Sequence, residues 1–149
     1  MSLMSIFDIS GSAMSAQSVR LNTTASNMAN ANSAAANPNE VYRARQPVFA
    51  TVSADLLNQA NADAFGFGGG DSVGRGVRVT DILESDAPFQ QRYEPGHPLA
   101  DENGYVYYPN VNIVDEMTNM ISSSRSYQMN VDVMNAARTM MQRVLSLGQ

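Results

Sequence analysis

Apolar positions at the two ends of the chain recur with a helical period. Ile113, Met117, Met120, Ser124, Tyr127, Val131, Met134, Arg138, Met141 and Leu145 alternate steps of four and three without a break. That is the spacing of one seam along an α-helix, and only Ser124 and Arg138 interrupt it. A seam this long predicts a helix that packs lengthwise against other helices. Asn112 is a good N-cap, Asp115 and Glu116 stand where the helix dipole favours negative charge, and Gly148 can close the far end. From Val133 a second row appears, Val133, Ala137, Met140, Val144 and Leu147. The last third is therefore apolar on two adjacent faces. One partner helix covers one of them; the other calls for a further partner, inside the chain or outside it.

The N-terminal segment mirrors this pattern. Ser5 with Asp8 reads as a capping box, and Met4 with Ile9 as its hydrophobic staple. Phe7, Met14, Leu21 and Met28 then recur every seven residues, beside the small Gly11, Ser18 and Ala25. A large–small seam allows close approach of a partner. The helix is expected from Ile6 to about Asn32, with the stretch up to Pro38 as a breaker.

Between the ends the period changes to two. Val41 to Val52 is β-rich, Val77, Val79 and Asp81 alternate with Arg78, Thr80 and Ile82, and Phe89–Tyr93 and Tyr105–Tyr108 are short and aromatic. Asn103–Gly104 is a turn dipeptide between the last two. Pro47, Pro88, Pro95 and Pro98 favour edge strands and loops. Residues 55–75, with Phe65-Gly66-Phe67-Gly68-Gly69-Gly70, read as a flexible surface excursion. The expected fold is α+β: long terminal helices packed as a coiled-coil-like pair, with a small β-rich module between them. The expected division is 1–36 and 110–149 for the helices and 37–109 for the module.

Composition narrows the function. Charged residues are only 15% of the 149, and Asn, Ser, Ala and Gln fill the gap. Such a surface suits close packing against neighbours better than free solubility. The net charge of -5 argues against nucleic acid as partner. With no Cys, disulfides and thiolate metal sites are excluded. No cleavable secretory signal and no membrane-length apolar run is visible.

Catalytic chemistry finds little support. The glycines near Phe67 lack the spacing of a phosphate loop, and the chain has no Lys. His97 lies in the rigid turn Pro95-Gly96-His97-Pro98 without ligand neighbours. Asp101 and Glu102 are adjacent, so they point apart and make a poor acid pair. Ser122-Ser123-Ser124 has no base in reach and reads as a small packing patch. Arg43, Arg45, Arg75 and Arg78 suit acidic neighbours. No catalytic, cofactor or metal site, and no small-molecule substrate, is expected.

Two blocks carry a resemblance. Ile6-Phe7-Asp8-Ile9-Ser10-Gly11-Ser12-Ala13-Met14, with Ala16-Gln17, Arg20-Leu21 and Ala25 to Ala31, resembles the N-terminal signature of bacterial flagellar rod and hook proteins. Tyr93-Glu94-Pro95-Gly96-His97-Pro98-Leu99-Ala100-Asp101, Gly104-Tyr105-Val106, Pro109 to Asn112, Glu116-Met117 and Ser122 to Tyr127 resemble the proximal-rod members of that family. The resemblance implies a non-catalytic structural subunit, without cofactors, in the rod that crosses the periplasm. It implies export through the flagellar type III apparatus without a cleaved signal. It implies partners among other rod proteins and copies of the chain itself, and terminal helices packed into a tube around the export channel. The stretch from about Leu56 to Val73 is longer than the family pattern has there. On the two seams, the expected subunit-packing residues are Phe7, Met14, Leu21, Met28, Met117, Met120, Tyr127, Val131, Met134, Met141 and Leu145. The alternatives are another axial rod or hook protein, a soluble helical binding module, and a wall-cleaving hydrolase for which no carboxylate pair presents itself.

Overall fold

The computed structural model describes residues 3–52 and 76–147. Helix α1 (Leu3–Asn30) is followed by strands β1 (Arg45–Thr51), β2 (Val77–Glu84), β3 (Gln90–Tyr93) and β4 (Tyr105–Tyr108), then helix α2 (Ile113–Leu147). The glycine-rich excursion and the helix stop at Gly148 lie outside the described residues. The α+β architecture of two long terminal helices and an intervening β module is what the two periodicities predict.

The strands form two separate ribbons, β1–β2 and β3–β4. Antiparallel β3–β4 runs in register from Gln90 opposite Tyr108 to Tyr93 opposite Tyr105. Among the described residues β1 pairs with β2 alone, so it is an edge strand, which is why Pro47 is tolerated within it. Gly104 has φ +81°, the left-handed backbone that the turn before β4 requires. After α1, Ala35 pairs with Tyr107 through two backbone bonds of 2.9 and 3.1 Å, so the returning chain lies along β4.

The boundaries of α2 follow from local chemistry. Asn112 Oδ1 accepts the Val114 N–H at 3.0 Å and its carbonyl accepts the Glu116 N–H at 3.0 Å, the bonds of an N-cap. At the other helix the expectation needs correcting. α1 begins at Leu3, upstream of Ser5, so Ser5 sits inside the first turn and not at the cap. The apolar Met4 is helical enough to extend the period by another step.

Contacts gather into two compact units. One comprises Met1–Ser18, Phe49–Thr80 and Ser124–Gln149; the other comprises Val19–Val48 and Asp81–Ser123. Both helices contribute to each. In the second unit a small core of Ala31, Ala44 and Val111 packs with Tyr42, and Val106 and Pro109 are fully buried. In the first, Ser12 Oγ accepts the Val77 N–H at 3.1 Å and donates to the Ile9 carbonyl at 2.8 Å. Gly76, with φ +139°, lies so close that a Cβ there would collide with the Ser12 hydroxyl.

Candidate subunit-packing surface

The residues that the fold buries on its helices are small or polar. α2 buries Glu116, Ser123 and Ala137, all on one heptad row, and half-buries Met120, Met134 and Met141 on the adjacent row. α1 buries Ser10, Ala16, Thr23, Thr24 and Asn27. Two of the hydroxyls in these rows are satisfied within their own helix. Thr23 donates to the Val19 carbonyl at 2.9 Å and Ser123 to the Asn119 carbonyl at 2.7 Å. A seam so built is thin and needs no polar partner across it.

In the second unit the polar residues are tied together. Asn27, 1% exposed, uses all four of its side-chain bonding capacities. Its Oδ1 accepts the Tyr42 hydroxyl and the Arg45 N–H, each at 2.9 Å. Its Nδ2 donates to the Arg45 carbonyl at 2.8 Å and to Glu116 Oε1 at 3.1 Å. The amide thus pairs with the Arg45 backbone as a neighbouring strand would, and joins α1, β1 and α2 in one knot. Arg20 donates to Asn119 Oδ1 at 2.9 Å, a second tie between the helices. Asn110 accepts the Ala44 N–H at 2.9 Å and donates to the Ser85 and Ala87 carbonyls at 3.3 and 2.9 Å. These residues gave no signal in the pattern of apolar positions. The one hint is that Asn27 and Glu116 are polar residues immediately beside seam methionines.

Two arginines of the module, Arg43 and Arg45, meet acids of their own chain. Arg45 pairs with Glu84 at 3.0 Å and Arg43 with Asp86 at 3.4 Å, both solvent-exposed and worth little each. His97 has a turn role: its Nδ1 accepts the Leu99 N–H at 3.1 Å. Tyr108 donates to Glu94 Oε2 at 3.2 Å, with Arg92 over its ring at 4.7 Å. Desolvation, then the Glu94 carboxylate, raise the Tyr108 pKa above its ordinary value of 10.0, against the pull of Arg92. Among the described residues no group of three or more His, Asp or Glu side chains is placed to hold a metal ion. Among them, too, no helix is long and apolar enough to cross a membrane.

The seam residues read from the sequence stand around the buried rows. Phe7, Met14, Leu21, Met28, Met120, Val131, Met134 and Met141 are half-buried; Met117, Tyr127 and Leu145 are exposed. Beyond them, α2 leaves further large side chains in the open. Val114 is 69% exposed and Val144 62%. Met129, Val133, Met140 and Val144 are all exposed and spaced four, seven and four, an open helical seam among the described residues. Each such side chain gains ~1.5–3 kcal/mol on full burial.

Known protein families match the chain at both terminal helices. The family described as "Flagella basal body rod protein" matches residues 7–34, and "Flagellar basal body rod FlgEFG protein C-terminal" matches residues 102–147. The chain is 50% identical to the flagellar basal-body rod protein FlgC of Escherichia coli O157:H7 and 48% identical to that of Salmonella typhimurium, each over the full length of both chains. It is 36% identical to the FlgC of Bacillus subtilis over 95% of each.

Proposed function

The chain belongs to the FlgC family of flagellar basal-body rod proteins, and from that membership we propose that it is a proximal-rod subunit whose terminal helices pack into a tube around the export channel. It is a structural component of the basal body and associates with other rod components. In this reading it transmits torque along the rod, resides in the periplasmic space, and leaves the cell through the flagellar type III export apparatus without a cleaved signal. It has no catalytic role. The packing residues are Phe7, Met14, Leu21 and Met28 on α1, and Met117, Met120, Tyr127, Val131, Met134, Met141 and Leu145 on α2.

The observation that carries this is the empty seam on α2. A helix whose buried row is Glu116, Ser123 and Ala137 while Met129, Val133, Met140 and Val144 face solvent has its apolar surface on the wrong side for a free-standing monomer. Neighbouring helices that cover this seam supply the missing burial. Contacts between unlike faces that do not close on themselves extend into a filament, as a rod requires.

The test is Val133→Asp together with Met140→Asp. Both positions are exposed, so the isolated chain keeps its thermal midpoint; an exposed substitution is worth within about 0.5 kcal/mol. A carboxylate in a dry helical interface costs several kcal/mol, so the variant fails to enter basal bodies and the cells do not swim. Normal swimming would show that this seam stays wet.

A further inference from the structure

The turn that joins β3 to β4 carries a reactive dipeptide. Among the Asn residues of the chain, Asn103 alone is followed by Gly. The side-chain amide of Asn is an electrophile for the next main-chain nitrogen, and a following Gly has no side chain to block the approach. Other Asn residues are poorly placed for this. Asn37 precedes Pro38, which has no N–H to lose. Asn22, Asn27, Asn119, Asn130 and Asn135 lie inside helices, where the following N–H is bonded. Asn103 is exposed, so water reaches its amide.

The folded hairpin holds the reacting atoms still. The Gly104 N–H donates to the Asp101 carbonyl at 3.0 Å, closing a four-residue turn. Asp101 Oδ1 accepts the Asn103 and Tyr105 N–H groups, each at 2.9 Å. The Gly104 carbonyl accepts the Glu94 N–H at 2.9 Å. A Cβ on Gly104 would come within 2.9 Å of the Tyr93 ring. Tyr93 and Tyr105 in turn stack edge to face with ring centroids 5.4 Å apart. Attack requires the Gly104 nitrogen to give up its proton and to swing toward Asn103 Cγ. The bond to the Asp101 carbonyl retains that proton, and the swing breaks bonds on both sides of the Asn103–Gly104 peptide. The neighbouring carboxylates of Asp101 and Glu102 oppose a further negative charge on the nitrogen.

We propose that Asn103 is a site of self-modification that the folded tip holds in check, with Asp101 as the clasp. When the turn opens, the Gly104 nitrogen loses its proton to solvent and bonds to Asn103 Cγ. The Cγ–Nδ2 bond breaks, and Nδ2 takes a proton from water and leaves as ammonia. Water then opens the cyclic imide at either carbonyl, leaving aspartate or isoaspartate at position 103. The net change is amide plus water to carboxylic acid plus ammonia, with no oxidant or cofactor. Isoaspartate routes the main chain through the former side chain and lengthens the turn, which breaks the register of Tyr93 opposite Tyr105. Aspartate adds a third carboxylate beside Asp101 and Glu102. Because reaction starts from the open turn, its rate follows the population of open tips. The step needs no second copy and no assembly.

The full-length chain is held in mildly alkaline buffer, folded or unfolded in urea, and sampled over time. Trypsin cuts after Arg92 and Arg125, and the chain has no Lys, so one peptide carries Asn103 with Asn110, Asn112 and Asn119 as internal references. Fragment-ion mass spectrometry locates the mass gain of amide to acid. Asn103 is expected to convert before the reference residues in urea, and about tenfold or more slowly in the folded chain than in urea. Asp101→Ala, checked for fold by circular dichroism, speeds Asn103 conversion in the folded chain about fivefold, whereas Asp101→Asn, which keeps an acceptor, does not. Equal rates in the folded and unfolded chain overturn the proposal, as does earlier conversion of a reference Asn in urea. A folded Asp101→Ala chain with an unchanged rate overturns it too. If Asp101→Ala fails to fold, the comparison with urea decides alone.

Discussion

The start of α2, from Ile113 to Ser123, and its remainder, from Ser124 to Leu147, use one helix in opposite ways. The start is fixed from within: Asn112 caps it, Glu116 accepts from Asn27, and Asn119 accepts from Arg20. Directional bonds to α1 and β1 specify its position. The remainder has Ala137 buried, but Met129, Val133, Met140, Val144 and Leu145 are exposed. Among the described residues none of its charged side chains is tied to another element; Asp132 accepts from Gln128 one turn away at 3.3 Å. Specificity sits in the first part and unspent hydrophobic surface in the second. A chain built this way holds its own fold at one end of the helix and leaves apolar surface open at the far end.

Breaking the internally fixed part has the largest effect expected on the isolated chain. Asn27→Ala strands both Arg45 backbone groups and a buried carboxylate and leaves the Tyr42 hydroxyl with Ser26 Oγ alone, at a cost of about 3 kcal/mol or more. A fall in thermal midpoint of about 10 °C, read by circular dichroism, is expected. A change below about 2 °C would mean that the knot adds little to the position of α2. Next comes Gly76→Ala, which combines a left-handed backbone with collision against Ser12, for about 1–3 kcal/mol. Adding Ser12→Ala removes the collision and not the backbone strain, so denaturant titration of the double variant recovers only part of the loss. Tyr42→Phe deletes the bonds to Asn27 and Ser26 and costs about 1 kcal/mol, since Arg45 still fills one lone pair of Asn27.

The smallest effect concerns pH. The folded state favours the neutral Tyr108 phenol, so this contribution is complete below the unfolded pKa and is lost as pH rises through the higher folded value. Ultraviolet titration shows one phenol ionising late. Tyr108→Phe removes that phase, and Glu94→Gln shifts it down without abolishing it, because desolvation remains the first cause. A phase unmoved by either change assigns the late phenol elsewhere.

Much of the fold was legible because helices and strands leave periods in apolar residues. The seams of α1 and α2, the cap at Asn112 and the β3–β4 turn at Asn103–Gly104 all follow from spacing and turn chemistry. The row facing inward was not legible. Periodicity selects a row of large apolar residues such as Met117 and Val131 in α2, whereas the fold buries Glu116 and Ser123, each one residue before a position of that row. Close approach of helices rewards small side chains, and hydropathy gives those no weight. The Asn27 knot was hidden for a related reason. Its value depends on Tyr42, Arg45 and Glu116 arriving together, and their separation in the chain carries no period. The stacked tip at Tyr93 and Tyr105 was visible only as aromatic strand residues around a turn.

Whether neighbours complete the second part of α2 is decided by amide hydrogen exchange, compared between the free chain and assembled rods. Residues from Val19 to Asn30 and from Ile113 to Ser123 are expected to be protected in both states. From Ser124 to Leu145, exchange is fast in the free chain and slows by at least a hundredfold, about 2.7 kcal/mol, in the rod. Equal and strong protection of Ser124–Leu145 in both states would contradict completion by neighbours, because that segment would then need none.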